Sequence, residues 1–112
     1  MQNYSSRLSQ THSQLNRQEH ILRLISDPYA RKIIDSIREE FKSAIQISHE
    51  LNIDLCSIYR RLHKFQKYGL VKTTFQITSA GKKSFYYESR IRSIVVRYHH
   101  GKFDIDLEFN QV

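Results

Sequence analysis

The sequence predicts an α+β fold of about four helices followed by two β-hairpins. Three observations carry this. Apolar residues recur at helical spacing from Ile21 to Phe65, then alternate after Gly69. Asp27, Ser43 and Asp54 each stand where a helix needs an N-cap. The three glycines, Gly69, Gly81 and Gly101, fall where a helix or strand has to end.

Taken in order, residues 1–18 are rich in Ser, Gln and Asn with two arginines and no acid, which reads as a flexible polar arm. The remainder, 19–112, reads as one domain. Ile21, Leu22 and Ile25 give a short helix over 19–26. Asp27-Pro28 restarts the chain, because Asp caps a helix and Pro is tolerated at its first position, where its missing N–H has no partner. Ala30, Ile33, Ile34, Ile37 and Phe41 carry that second helix to about Phe41. Ser43 caps a third over 44–51, with Ala44, Ile47 and Leu51 inward. Asn52-Ile53 is a tight connection, and Asp54 caps a fourth helix over roughly 55–68, ended by Gly69. A short helix, a tight turn and a basic helix follow the pattern of a helix-turn-helix.

Beyond Gly69, Leu70–Ile77 and Ser84–Glu88 form a hairpin around a turn over 78–83. Arg90–Tyr98 and Phe103–Phe109 form a second, C-terminal hairpin (90–109) around His100-Gly101. Its pairing sets Tyr98 opposite Phe103, Val96 opposite Ile105 and Ile94 opposite Leu107 on one face. Arg97 then faces Asp104 on the other, with Asp106 and Glu108 beyond.

Composition excludes several classes. With 112 residues, 39% hydrophobic, there is one modest core and no room for a second catalytic domain. A lone cysteine, Cys56, permits neither an intrachain disulfide nor a multi-cysteine zinc site, and fits a reducing compartment. No apolar run is long enough for a membrane span, and the N-terminus has no signal-peptide stretch. No membrane role and a cytoplasmic setting are therefore expected. Three scattered glycines cannot write a phosphate-cradling loop, and no cofactor is expected.

Charge is the informative term. The net charge is +7, and residues 54–83 alone hold +6: Arg60, Arg61, Lys64, Lys67, Lys72, Lys82 and Lys83 against Asp54. Charge placed for solubility is dispersed, whereas a focused patch suggests a docking surface for phosphates. On a helical wheel Leu55, Ile58, Leu62 and Phe65 make the inward stripe of the fourth helix. Cys56, Ser57, Arg60, His63, Lys64 and Lys67 lie opposite, with Tyr59 and Arg61 on the flanks. Such a helix fits a DNA major groove about 12 Å wide. A solvated basic face is the bland alternative.

At this point a resemblance can be drawn. Ile21-Leu22-Arg23-Leu24-Ile25-Ser26-Asp27-Pro28, followed by Arg31 and Ile33-Ile34, is similar to the opening of winged helix-turn-helix proteins of the ArsR type, particularly short archaeal single-domain members. Residues Ala44–Leu51 resemble the support helix of that family. Ser57-Ile58-Tyr59-Arg60-Arg61-Leu62-His63-Lys64-Phe65 with Tyr68-Gly69-Leu70-Val71 resembles its recognition helix and the start of its wing, and is the most specific piece. The resemblance spans about residues 19–98. It implies a DNA-binding transcriptional regulator, usually a homodimer, with the fourth helix in the major groove and the β-wing along the backbone. Two departures stand out. The metal-sensing members carry a pair of nearby cysteines and this chain has only Cys56, so metal sensing is not carried over. The C-terminal hairpin is not part of the minimal family core, and dimerisation, ligand binding or core cover are all open to it.

On this reading Arg60, with Ser57 and Arg61, reads or positions bases in double-stranded DNA, while Tyr59, Lys64, Lys67, Lys82 and Lys83 hold phosphates. No catalytic or metal site is expected. Adjacent strand residues such as His99 and His100 point to opposite faces, and Asp104, Asp106 and Glu108 have arginine counter-charges. Cys56 reads as a passive side chain rather than a redox switch. Tyr86, Tyr87 and Tyr98 read as packing rather than a stacking platform for single strands. The chain is expected not to be an enzyme. A protein-interaction adaptor in a larger nucleic-acid-processing complex is the main alternative, and an RNA-binding module is another.

Overall fold

The computed structural model of the protein describes residues 12–110. Among them, four helices precede two hairpins: α1 (His12–Ser26), α2 (Pro28–Ser36), α3 (Ala44–Leu51), α4 (Leu55–Lys67), then β1 (Val71–Ile77), β2 (Lys83–Ser89), β3 (Ile91–His99) and β4 (Lys102–Phe109). The fold is thus α+β, with two separate antiparallel sheets, β1–β2 and β3–β4.

Helix starts follow local chemistry. Asp27 accepts the Tyr29 N–H at 3.0 Å with Pro28 in the first turn. Ser43 and Gln46 make a reciprocal capping box at α3. Asp54 accepts the Ser57 N–H at 3.0 Å at α4. Asn52 adopts a left-handed conformation to close α3, and Ile53 and Asp54 complete the short link into α4.

Two helix boundaries differ from the sequence expectation. Residues 1–11 of the expected arm lie outside the described residues, and residues 12–18 are helical, so α1 begins at His12 rather than Glu19. A tertiary tether favours the longer helix: Arg17 donates to the Tyr68 carbonyl at 2.9 Å, and the His20 ring stacks on Tyr68. Conversely, α2 stops at Ser36 rather than near Phe41. The chain after it is drawn onto β2. Ser89 N–H donates to the Ile37 carbonyl at 2.8 Å, and Lys42 exchanges two backbone hydrogen bonds with Tyr87. Phe41, expected on the inner face of α2, is instead exposed.

One core joins all the parts. Ile21 and Leu24 of α1, Ala30 and Ile33 of α2, Ile47 of α3, and Ile58, Leu62 and Phe65 of α4 are buried together with Leu70, Tyr87 and Ile105. Leu55, the first member of the expected inward stripe of α4, is 37% exposed; it sits in the first turn, beyond the edge of this cluster.

The strand registers agree with the sequence reading. Tyr98 pairs with Phe103, Val96 with Ile105 and Ile94 with Leu107, with a bulge near Ser93. His100 and Gly101 both take positive φ, 51° and 77°, as a two-residue hairpin turn of this hand requires. Arg97 lies opposite Asp104 and forms its ion pair diagonally with Asp106. The apolar face of this hairpin is covered mainly along β4: Ile105 is buried and Phe103 and Leu107 pack against the core, while Val96 and Tyr98, the β3 partners of Ile105 and Phe103, are exposed. Arg90 joins the two hairpins, donating to the Gly69 carbonyl at 2.7 Å and stacking on Phe109.

Candidate functional site

Helix α4 presents two sharply different sides. Ile58, Leu62 and Phe65 are wholly buried, whereas Tyr59, Arg60, His63, Lys64 and Lys67 are exposed. Arg60, Lys64 and Lys67 recur at intervals of four and three, so they share one face of the helix. They are the members of the expected set that the fold brings together on an open surface.

Two expected base-contacting residues are engaged elsewhere. The Ser57 hydroxyl donates to Asp54 at 2.8 Å, inside the N-cap. That hydroxyl and the Ser57 N–H hold the Asp54 carboxyl below its usual range. Arg61 donates through Nε to Asp27 Oδ2 at 2.6 Å and through Nη1 to the Ser57 carbonyl at 3.1 Å, and its guanidinium lies over the Tyr29 ring. Its side chain is only 14% exposed. Arg61 therefore joins α4 to the start of α2 through its Nε–H.

Tyr59 is half-exposed on the flank of α4 and borders the first hairpin. Burial pushes the Tyr87 hydroxyl up from its ordinary value, and Tyr59 adds in the same direction. Lys82 and Lys83 lie exposed at the distal turn of the first hairpin. That turn is closed by Thr78, whose N–H donates to the Lys82 carbonyl at 2.8 Å. Lys83 Nζ sits over the Phe75 ring, 4.6 Å from its centre. Lys72, in the same basic stretch of sequence, pairs with Glu88 at 3.7 Å.

The structure adds residues that the sequence reading did not single out. A groove of about 390 Å³ runs between α1 and α4, walled by His20 and Arg23 on one side and Arg60, Lys64 and Lys67 on the other. Arg17, His20 and Arg23 recur every three residues along α1. That spacing is present in the sequence, but Arg17 lies in the polar stretch whose composition predicts a flexible arm.

Among the described residues, no three His, Cys, Asp or Glu side chains converge as a metal site would require. Asp106 is paired with Arg97, and Glu108 accepts from the Ser93 hydroxyl. No helix among them is long and apolar enough to cross a membrane. No family model, curated protein or solved structure matches the chain.

Proposed function

We propose that the protein is a winged helix-turn-helix, similar to the ArsR type, that binds double-stranded DNA in a sequence-specific way and regulates transcription. On this reading α3 is the support helix, α4 the recognition helix and the first hairpin the wing. The observation that carries it is the exposed row of Arg60, Lys64 and Lys67 on the outer face of a helix whose opposite face is wholly buried. Arg60 is the base reader, since its guanidinium fork matches the edge of guanine. Lys64, Lys67, Tyr59, Lys82 and Lys83 hold phosphates. Ser57 and Arg61 position α4 through Asp54 and Asp27 rather than touching bases.

Such a regulator acts by occupancy, in the cytoplasm. As a two-fold homodimer it would place two recognition helices about 34 Å apart, one turn of DNA. The partly uncovered apolar face of the C-terminal hairpin supplies a surface on which two copies could meet.

Fluorescence anisotropy on random duplex DNA, titrated across salt, tests the reading. A log–log slope of about −4 or steeper means that roughly five phosphates are neutralised. No binding at low salt removes the DNA reading. Light scattering tests the dimer, and a monomer at micromolar protein removes it.

A second reading rests on a different observation. Phe75, Ile77 and Phe85 share one face of the first hairpin beyond the core and are about half exposed. An adaptor for a protein partner would use such a face. Duplex affinity that is indifferent to Arg60, Lys64 and Lys67 would favour it.

A further inference from the structure

We infer that the groove between α1 and α4 holds a phosphate of the DNA backbone, so that the nucleic-acid surface of the protein continues from α4 onto α1. This rests on the reading of α4 as a DNA-contacting helix and adds to it a wall contributed by a different element.

The charges facing this groove are unequal. His20 and Arg23 line it from α1, and Arg60, Arg61, Lys64 and Lys67 from α4. Asp27, the one carboxylate on its lining, accepts the Tyr29 N–H and the Arg61 Nε–H, so Arg61 offsets its charge in place. Glu19 reaches Arg23 at 3.5 Å, but both side chains are more than half exposed, and such a pair holds its partner weakly. A concave surface with unbalanced positive charge concentrates the field and draws in polyanions.

The groove is also fixed in shape. At its end, Arg17 donates to the Tyr68 carbonyl, and the His20 ring stacks on Tyr68 with centres 5.7 Å apart. These contacts hold α1 against the C-terminal end of α4. The two walls are therefore positioned before a ligand arrives, which lowers the ordering cost of binding.

The occupant follows from how the groove is walled. Arg60, Lys64 and Lys67 line both the groove and the open outer face of α4, so the two surfaces are continuous. Among the described residues no buried side-chain polar atom lacks a partner, so none waits to fix the orientation of an enclosed small molecule. A sugar–phosphate strand, which runs on from one surface to the next, suits this shape better than a free anion.

The test compares Arg23→Gln with Arg38→Gln in the full chain. Arg38 is the matched control: it is also an exposed arginine with one nearby carboxylate, Asp35 at 3.3 Å, but it does not line the groove. Each variant removes one positive charge. Binding to a labelled random duplex is measured by anisotropy from low to moderate salt. Arg23→Gln is expected to make the log–log salt slope shallower by about 0.9, the worth of one phosphate, while Arg38→Gln leaves it unchanged. An unchanged slope in Arg23→Gln, or an equal change in both variants, overturns the α1 contact and leaves the role of α4 standing. Absence of duplex binding by the unaltered protein overturns both.

Discussion

Arg61 and Asp27, thirty-four residues apart in the chain, meet with Nε 2.6 Å from Oδ2, and this pair ties the basic helix α4 to the first turn of α2. Asp27 does two things at once. One oxygen caps α2 through the Tyr29 N–H, and the other receives Arg61. Asp27→Ala should therefore destabilise the protein by about 1–2 kcal/mol, mostly through the lost cap. Asp27→Asn keeps a cap acceptor and should cost less. Urea denaturation of the two variants separates the contributions, and equal losses would contradict this division.

The same carboxyl gives a sign for the acid dependence. Partial burial pushes the Asp27 carboxyl up, but the Arg61 hydrogen bond, its charge and the backbone N–H groups of Tyr29 and Ala30 together hold it below 3.8. Folded Asp27 thus binds a proton less readily than unfolded Asp27. Its stabilisation is present above the unfolded value and is lost as pH falls through the folded one. Asp27→Asn should flatten the acid limb of a plot of stability against pH, and an unaltered limb would assign that limb to other carboxylates.

Arg60→Ala should weaken binding to a selected DNA site by about 1–3 kcal/mol and relax base preference at one position. A small loss that is equal on every sequence would make Arg60 a phosphate contact instead. Selection of preferred sites by the protein and the variant distinguishes the two outcomes.

Ser89 is a buried polar residue, 2% exposed, where the two hairpins join. Its hydroxyl accepts the Ile91 N–H at 3.0 Å. Ser89→Ala leaves that donor without its acceptor and should cost about 1–2 kcal/mol in chemical denaturation. A neutral change would mean that water takes the place of the hydroxyl.

His100 occupies a left-handed position at φ 51° in the second hairpin turn. Asn tolerates that region better than other side chains, so His100→Asn should raise stability by a few tenths to about 1 kcal/mol, less whatever the His99–His100 ring contact contributes. His100→Val should lower it by about 1 kcal/mol. Thermal melts of the pair give the order, and a more stable Val variant would contradict the turn assignment.

The parts legible in the sequence are those decided locally. Asp27, Ser43 and Asp54 cap helices whatever lies around them, and the alternation from Ile94 to Leu107 fixes the hairpin register. What the sequence concealed is tertiary. The end of α2 is set by β2 drawing Ile37 and Lys42 into backbone pairing, against a helical pattern that runs on to Phe41. The part of α1 around Arg17 and His20 is held by Tyr68. Within the candidate site, the exposed face of α4 could be read from a helical wheel. The pairing of Arg61 could not, because its partner lies in another helix. Nor could the groove, whose two walls come from segments far apart in the chain.

The double hydrogen bond between Lys42 and Tyr87 fixes the first hairpin partway along its length, immediately before the Ser43 cap of α3. Mechanically the hairpin is a beam clamped at Tyr87, with a free end running through Phe85 to Lys83. At its root the hairpin is also tied to the end of α4, through the Leu70 N–H to the Phe65 carbonyl and the Arg90 N–H to the Leu70 carbonyl. The root of the hairpin is thus held to both α3 and α4, while the turn bearing Lys82 and Lys83 projects beyond these ties.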